Sequence, residues 1–405
     1  MKGVLDGIKI VEMCIGQQGP YAGVMLGDLG ADIIKIEDRV KGDHGRGHKR
    51  LFSVVLPELA GHRTYYFEAN NRNKRGITLD LKKEKAREVV YKLVKESDVF
   101  MQNMRNGVAA RLGVDYATLS QINPKLVYGS ASAFGAFGPD SDKPGFDIVG
   151  QARSGLIAGL GEEDMPPTLG PAGTSDQVGA MMLAFGILAA LVGRERTGVG
   201  QEIHASLLGS TLCLMGLAPA LRSLVGIEMP RSKRTKAENA LWNIYKCSDD
   251  QWICLAHRYM WDFWEEFCRV IGHENLATDP RFCDPDAVKQ NIEQLIAELD
   301  SIFATRPRDE WIRILSEGGD FIYAPVNDMG AALEDPQVMA NGYVVEYDHP
   351  VLGKVKLLGH PVTYSKSEVG PRLPAPEHGQ HTEEVLLELG YTWNDIEQMK
   401  DQEVI

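Results

Sequence analysis

The chain has 405 residues, 44% of them hydrophobic and 24% charged, with 42 Gly and 20 Pro. That length accommodates two or three domains with sizeable cores, and the composition excludes a disordered, collagen-like or disulfide-framework protein. With 43 Lys+Arg against 56 Asp+Glu the net charge is −13, which argues against a general nucleic-acid binder, because such proteins need a basic face for the phosphates.

Strand and helix signals alternate through the first part of the chain. Residues 8–13 read as a strand and 21–29 as a helix, with Pro20 at its first turn, where a missing N–H costs little. Residues 33–37 read as the next strand. From Lys35 to Arg75 there are ten Lys/Arg (35, 39, 41, 46, 49, 50, 63, 72, 74, 75) and five Asp/Glu (37, 38, 43, 58, 68), so this stretch carries +5 and the remainder −18. Two readings stand: a solvated basic loop, or a site for a small polyanion. Strands follow at 76–81, 99–102 and 126–130. An amphipathic helix over 83–95 sets Ala86, Val89, Val90, Leu93 and Val94 on one side. Short strands separated by helices imply βαβ units and a parallel sheet, whose ligands sit at the carboxyl ends of the strands. Loops 14–19, 103–107 and 131–139 are therefore the places to look for a site.

Two long apolar runs come next, 178–193 and 205–221. Both fall short of about 20 uninterrupted apolar residues, so they read as core or subunit-interface helices. From about residue 239 the texture changes to α+β. Hairpins are expected at 244–247/252–256 and 342–347/354–358, helices at 260–271, 288–303 and 310–315, and a strand at 322–326. Helical signals return at 382–389 and 394–400. The segment HRYMWDFW (257–264) lines an acyl pocket or forms helix core. No export signal is expected at the N-terminus. Six scattered cysteines without a C-x-x-C pair read as reduced thiols in a cytosol.

Common motifs fail. The first loop, GQQGPYAG, departs from the G-x-G-x-x-G that lets a backbone approach a pyrophosphate; there is no phosphate-binding G-x-x-x-x-G-K-[ST], no G-x-S-x-G and no metal-ligand spacing. What remains is Asp176, at the mouth of the 178–193 helix. Ser175 or Asp176 can cap that helix, accepting its first amides and meeting its positive end. Alternatively, a carboxylate beside apolar surface stays ionised at neutral pH yet poorly hydrated, which suits a nucleophile.

The ordered motifs LDGIKIVE, GPYAG, LGADIIKIE, NRNKRGITLDL, NPKLVY, the FG…GP…PGFD run, the Asp176 segment and RERTGVGQ span nearly the whole chain. On them the sequence resembles the family III CoA-transferases, the CaiB/BaiF family. The resemblance implies a Rossmann-like α/β large domain, residues 1–225 completed by 345–405, with a smaller α+β domain at 226–344, in an interlocked homodimer. It implies transfer of coenzyme A from an acyl-CoA to a carboxylic acid, with the thioester as substrate, no permanently bound cofactor, no metal, and no nucleic-acid or membrane partner. Asp176 would be the nucleophile, passing through aspartyl-anhydride and aspartyl-CoA thioester intermediates, and Gln17 and Gln18 would lie near the thioester. Leu79 to Lys82, Asn103-Met104, Arg111, Lys143, Arg39 and Lys74 would contact the coenzyme. In the related α-methylacyl-CoA racemases a His stands where this chain has Phe146. A non-catalytic partner subunit is the other alternative, and the retained Asp176 argues against it. Where formyl-CoA transferases carry a run of glycines, this chain reads AENALWNIYKC, which disfavours small oxalate-like acids.

Overall fold

The computed structural model describes residues 3–51 and 54–405. Its contacts divide the chain into two compact units, one built from residues 1–158, 169–228 and 339–405, the other from 159–168 and 229–338. Segment 159–168, expected in the large domain, folds with the smaller unit.

The larger unit is organised on a six-stranded parallel sheet: β1 (Lys9–Met13), β2 (Asp32–Asp38), β3 (Lys74–Leu79), β4 (Val99–Gln102), β5 (Val127–Ser132) and β6 (Glu202–Ser206), in the order β3-β2-β1-β4-β5-β6. The strand period of two separates the faces. Ile10, Ile33, Val99, Met101 and Val127 point to one core; Val11, Ile36, Ile77, Phe100 and Tyr128 point to the other.

The second face is covered by the helix Glu84–Lys95, through Ala86, Val89, Val90, Leu93 and Val94, and by C-terminal helices supplying Val385, Leu386, Ile396 and Met399. Each such Val, Leu, Ile or Met side chain contributes roughly 1.5–3 kcal/mol on burial. The first face is covered by α1 (Gln18–Asp28) and by a 24-residue helix, Thr174–Thr197, which buries Ala180, Leu183, Ala184 and Ile187. By length and composition that long helix could cross a membrane, but here this stripe of it belongs to the core. Its opposite side leaves Met181, Phe185 and Val192 exposed.

One expectation is corrected. The apolar run 205–221 is not a single helix: it begins in β6 and continues as the helices Leu207–Leu214 and Leu217–Val225, bent by 79° from each other. Ser206 stops the strand and caps the next helix, accepting from the Gly209 amide at 3.0 Å.

The smaller unit has an antiparallel three-stranded sheet, Tyr323–Val326, Trp252–Ala256 and Trp242–Lys246, packed by helices around Trp264, Phe267, Phe303 and Trp311. The segment 257–264 is core only in part. Met260 and Trp264 are core, whereas Tyr259 and Trp261 are exposed on a cavity of about 930 Å³.

Candidate active site

The helix Thr174–Thr197 begins at Gly173 in the left-handed conformation, without a side-chain cap of its own. The cap comes from outside. Asp147, at the start of the helix Asp147–Arg153, accepts from Ser175 N at 2.6 Å and from Asp176 N at 3.2 Å through Oδ1. Neither Ser175 nor Asp176 therefore has to cap. The Ser175 hydroxyl is occupied by Thr211 at 2.8 Å. Asp176 is left on the wall of a cleft of about 480 Å³, and its carboxylate has no hydrogen-bond partner among the described residues. Burial, reinforced by the negative Asp147, pushes the Asp176 carboxyl up to about 7. The carboxyl therefore keeps its proton to higher pH than an ordinary aspartate.

The cleft lies at the carboxyl ends of β1, β4 and β5. Gln17, Gln18, Asn103, Met104 and Lys143 line it together with Asp176. Gln17 reaches from the β1–α1 loop to the start of the Asp176 helix: a Cβ at Gly173 would stand 2.5 Å from Gln17 Nε2. Gln18, buried in the first turn of α1, packs on Gly179, and its Nε2 has no partner among the described residues. Asn103 fixes the first loop by two hydrogen bonds, accepting from Ile15 N at 2.9 Å and donating to Ile15 O at 2.7 Å. Met104 N donates to Gln102 Oε1 at 2.6 Å. Lys143 pairs with Asp140 at 2.5 Å.

Three of the other predicted contacts sit further along the same edge of the sheet. Arg39 follows β2 and pairs with Glu403 at 3.1 Å. Leu79 ends β3, in register with Asp38, and the exposed Lys82 lies just beyond. Arg111 is exposed on the short helix Val108–Arg111, whose first residue lines the cleft although Arg111 does not. From β3 to β5 is four strand spacings, roughly 19 Å at about 4.8 Å each. The candidate residues therefore lie spread along one edge of the sheet, with Arg39, Leu79, Lys82 and Arg111 outside the lining of the cleft.

Lys74 requires a correction. It is buried, and its ammonium donates to Glu12 Oε1 at 2.9 Å, Pro20 O at 2.8 Å, Asn70 O at 3.0 Å and Asn71 Oδ1 at 3.0 Å. An ammonium with these acceptors is not available to a phosphate. Burial is its largest influence and pushes it down to about 8 despite Glu12. Gly23 is needed for this packing, because a Cβ there would meet Glu12 Oε2 at 2.1 Å. Beside it, buried Lys35 donates to Cys14 O at 2.6 Å, Asp43 Oδ2 at 3.0 Å and Glu12 Oε1 at 3.3 Å. Asp43 Oδ1 in turn accepts from Gly16 N at 3.0 Å. Burial alone would raise the Asp43 carboxyl, but Lys35 and the amides of Gly16 and Gly45 outweigh it and hold it low. The buried charges thus pin the loop that carries Gln17.

Sequence reasoning missed Tyr66, His44 and Asp147. Tyr66 and His44 line the cleft. The Tyr66 hydroxyl is held above its usual range, chiefly by burial and then by Asp176 and Asp43, so it remains a hydrogen-bond donor. Asp147 was visible only as the last letter of PGFD. Among the described residues no group of three or more His, Cys, Asp or Glu side chains is arranged to hold a metal ion.

A parallel α/β sheet with a partnerless carboxylate at a helix start above its carboxyl edge has the form of a ligand-binding enzyme of the α/β class. Comparisons with known proteins agree and go further. The profile of CoA-transferase family III matches residues 5–382, so the chain belongs to that family and is a CoA-transferase. It is 34% identical to an acyl-CoA transferase of Fusarium pseudograminearum, over 100% of this chain and 89% of that one. It is 31% identical to the (R)-2-hydroxy-4-methylpentanoate CoA-transferase of Clostridioides difficile, over 99% of both. The crystal structure of a CaiB/BaiF family protein from Brucella suis superposes with a TM-score of 0.86 at 29% identity, covering 96% of this chain and 100% of that one.

Proposed function

We propose that the protein moves coenzyme A from an acyl-CoA to a carboxylic acid with Asp176 as the covalent nucleophile. The observation that carries this reading is the carboxylate of Asp176, without an internal partner and facing a cleft shared with Gln17, Gln18 and Asn103. An Asp176 oxygen attacks the thioester carbonyl, the C–S bond breaks, and the coenzyme leaves as a thiolate, giving a mixed anhydride. The thiolate then attacks the aspartyl carbonyl. The anhydride C–O bond breaks, the donor leaves as a carboxylate, and an aspartyl-CoA thioester remains. The acceptor carboxylate runs the same two steps in reverse, and no net proton is consumed. Only the ionised fraction of Asp176 is nucleophilic, while its poor hydration keeps that fraction reactive. Gln17 Nε2 and the uncapped first turn of α1 serve as donors to the carbonyl oxygens.

In this reading Lys82 and Arg39 hold the nucleotide end of the coenzyme, with Leu79 beside them. Met104, Arg111 and Lys143 lie along the same edge toward the thioester. The working unit is a homodimer, supported by the exposed Met181, Phe185, Val192, Leu217 and Leu224 on the Asp176 helix and on Leu217–Val225. Phe146, 73% exposed at the cleft, has no proton to exchange, so racemisation is not favoured.

The test is a screen of acyl-CoA and acid pairs with the wild type and Asp176→Ala. Transfer is expected in the wild type and lost in the variant with the fold retained. Hydroxylamine added with acyl-CoA is expected to tag the Asp176 peptide in mass spectra. Exchange of coenzyme A by Asp176→Ala at the normal rate would overturn the mechanism, and solvent deuterium at the α-carbon without transfer would make the protein a racemase.

A further inference from the structure

The PGFD segment contains a charge that the transfer chemistry does not use. Asp147 has both oxygens engaged: Oδ1 by the amides of Ser175 and Asp176, Oδ2 by Gln151 Nε2 at 2.6 Å. Gln151 is itself buried. It donates to Pro171 O at 3.3 Å and accepts from Gly170 N at 3.0 Å, so it ties Asp147 to the chain leading into the Asp176 helix. At Gly150 the two helices close in, since a Cβ there would stand 2.8 Å from the Ser175 hydroxyl oxygen. Three of the four acceptor sites of Asp147 are thus taken within the fold, and Asp147 is not among the residues lining the cleft. A residue in its place without an oxygen would leave two amides at a positive helix end, and the nearest carboxylate able to turn onto them is Asp176 itself.

We propose that Asp147 is a positioning residue for Asp176: it caps the long helix in the nucleophile's stead and so leaves the Asp176 carboxylate facing the cleft. The inference rests on the reading of Asp176 as the nucleophile. The like charge of Asp147 also supports the raised carboxyl of Asp176. The other charged or titratable groups lining the cleft are His44, Tyr66, Arg105 and Lys143.

The experiment compares wild type, Asp147→Asn and Asp147→Ala, each checked for folding by thermal melting. Two readouts are followed across pH 4–9: kcat and KM for the acyl-CoA, and the rate at which a carbodiimide modifies the Asp176 peptide, which needs no turnover. Asp147→Asn keeps an oxygen for the amides but removes the charge. Its kcat is expected to stay near normal, with the acid limb of the profile and the carbodiimide profile both moved to lower pH. Asp147→Ala is expected to lose about 100-fold in kcat with KM little changed, as for a misplaced reacting group, and to modify more slowly at Asp176 because the carboxylate now caps the helix. If both variants melt lower yet keep the wild-type kcat and both pH profiles, Asp147 only stabilises the fold and the proposal is wrong. If Asp147→Ala does not fold, Asp147→Leu, close in shape to Asp but without an oxygen, takes its place, and wild-type kcat and carbodiimide rate at Asp176 in that variant overturn the proposal. If hydroxylamine fails to tag Asp176 in the wild type, the nucleophile reading fails, whereas the carbodiimide profiles still judge the role of Asp147.

Discussion

Replacing Asp176 by Asn should abolish transfer and stabilise the protein above neutral pH. In the folded chain the carboxyl moves from an ordinary 3.8 to about 7 because burial, and then Asp147, disfavour its charge. At 1.36 kcal/mol per tenfold change in proton affinity, the ionised form is less favourable in the fold than in the unfolded chain by about 4 kcal/mol. The sign follows from proton binding. Between pH 4 and 7 the native state holds a proton that the unfolded state has lost, so stability falls as pH rises through this window and stays low above it. Asn keeps the shape without the charge. It should therefore match the wild type only below about pH 3, where Asp176 is protonated in both states, exceed it slightly at pH 4.5 and exceed it most near pH 8. With about 2 cal/mol/K of unfolding entropy per residue, 4 kcal/mol corresponds to an upper figure of about 5 °C. Thermal melts of both proteins at pH 4.5 and 8 test this directly. An equal gain at both pH values, or none at pH 8, would refute the view that Asp176 is a desolvated carboxylate.

Other consequences follow from single contacts. Gly173→Ala places a Cβ at φ +85° and 2.5 Å from Gln17 Nε2; it should cost about 1–2 kcal/mol from the backbone alone and lower kcat by displacing Gln17, as melting and initial rates will show. Arg39→Ala and Lys82→Ala should raise the KM for acyl-CoA about tenfold each with kcat unchanged, and an unchanged KM in both would remove the nucleotide end of the coenzyme from this edge of the sheet. Lys74→Met should instead destabilise by about 3–5 kcal/mol, because Glu12 loses a buried partner, and a denaturant titration distinguishes this from a binding defect. His257 is buried, its Nε2 accepting from Ile322 N at 3.2 Å, and burial holds its pKa below 6.5. Its neutral form therefore supports the fold fully above pH 6.5, and that support is lost as pH falls through 6.5 toward the lower folded value; a His257→Gln variant with the same acid slope in denaturant midpoints would refute this.

The sheet was legible because its strands are short apolar runs with buried neighbours on both faces, and the helix Glu84–Lys95 because its apolar residues recur at 3.6. The strand Glu202–Ser206 was not legible. Its sequence, EIHAS, is short and half exposed, so no run marks it, and the apolar residues that follow hide the stop at Ser206. The location of Asp176 was legible from motif order. Its freedom from capping was not, because the cap lies 29 residues away in Asp147. A local pattern at 175–176 reads as a cap whether or not a distant oxygen has already taken the amides.

The +5 stretch shows the same limit in electrostatic form. Summed along the sequence, residues 35–75 look like a site for phosphates. In the fold eight of the ten cations have acidic partners, several from outside the stretch: Glu12 for Lys35 and Lys74, Asp28 for Arg72, Glu403 for Arg39, and Asp32, Glu384 and Glu388 for Arg75. Arg46, Lys49 and Arg63 pair with Glu37, Glu58 and Glu68. A local excess of charge therefore says little about a ligand until its distant counter-charges are placed. The buried part of this excess acts mechanically. Lys35 holds Asp43, Asp43 holds the Gly16 amide, and the next residue is Gln17, so the basic stretch reaches the candidate chemistry by fixing a loop. The cations proposed for a coenzyme end on the surface at the carboxyl edge of the sheet: Lys82 and Arg111 outside the stretch, and Arg39 within it, which would have to exchange Glu403 for a phosphate.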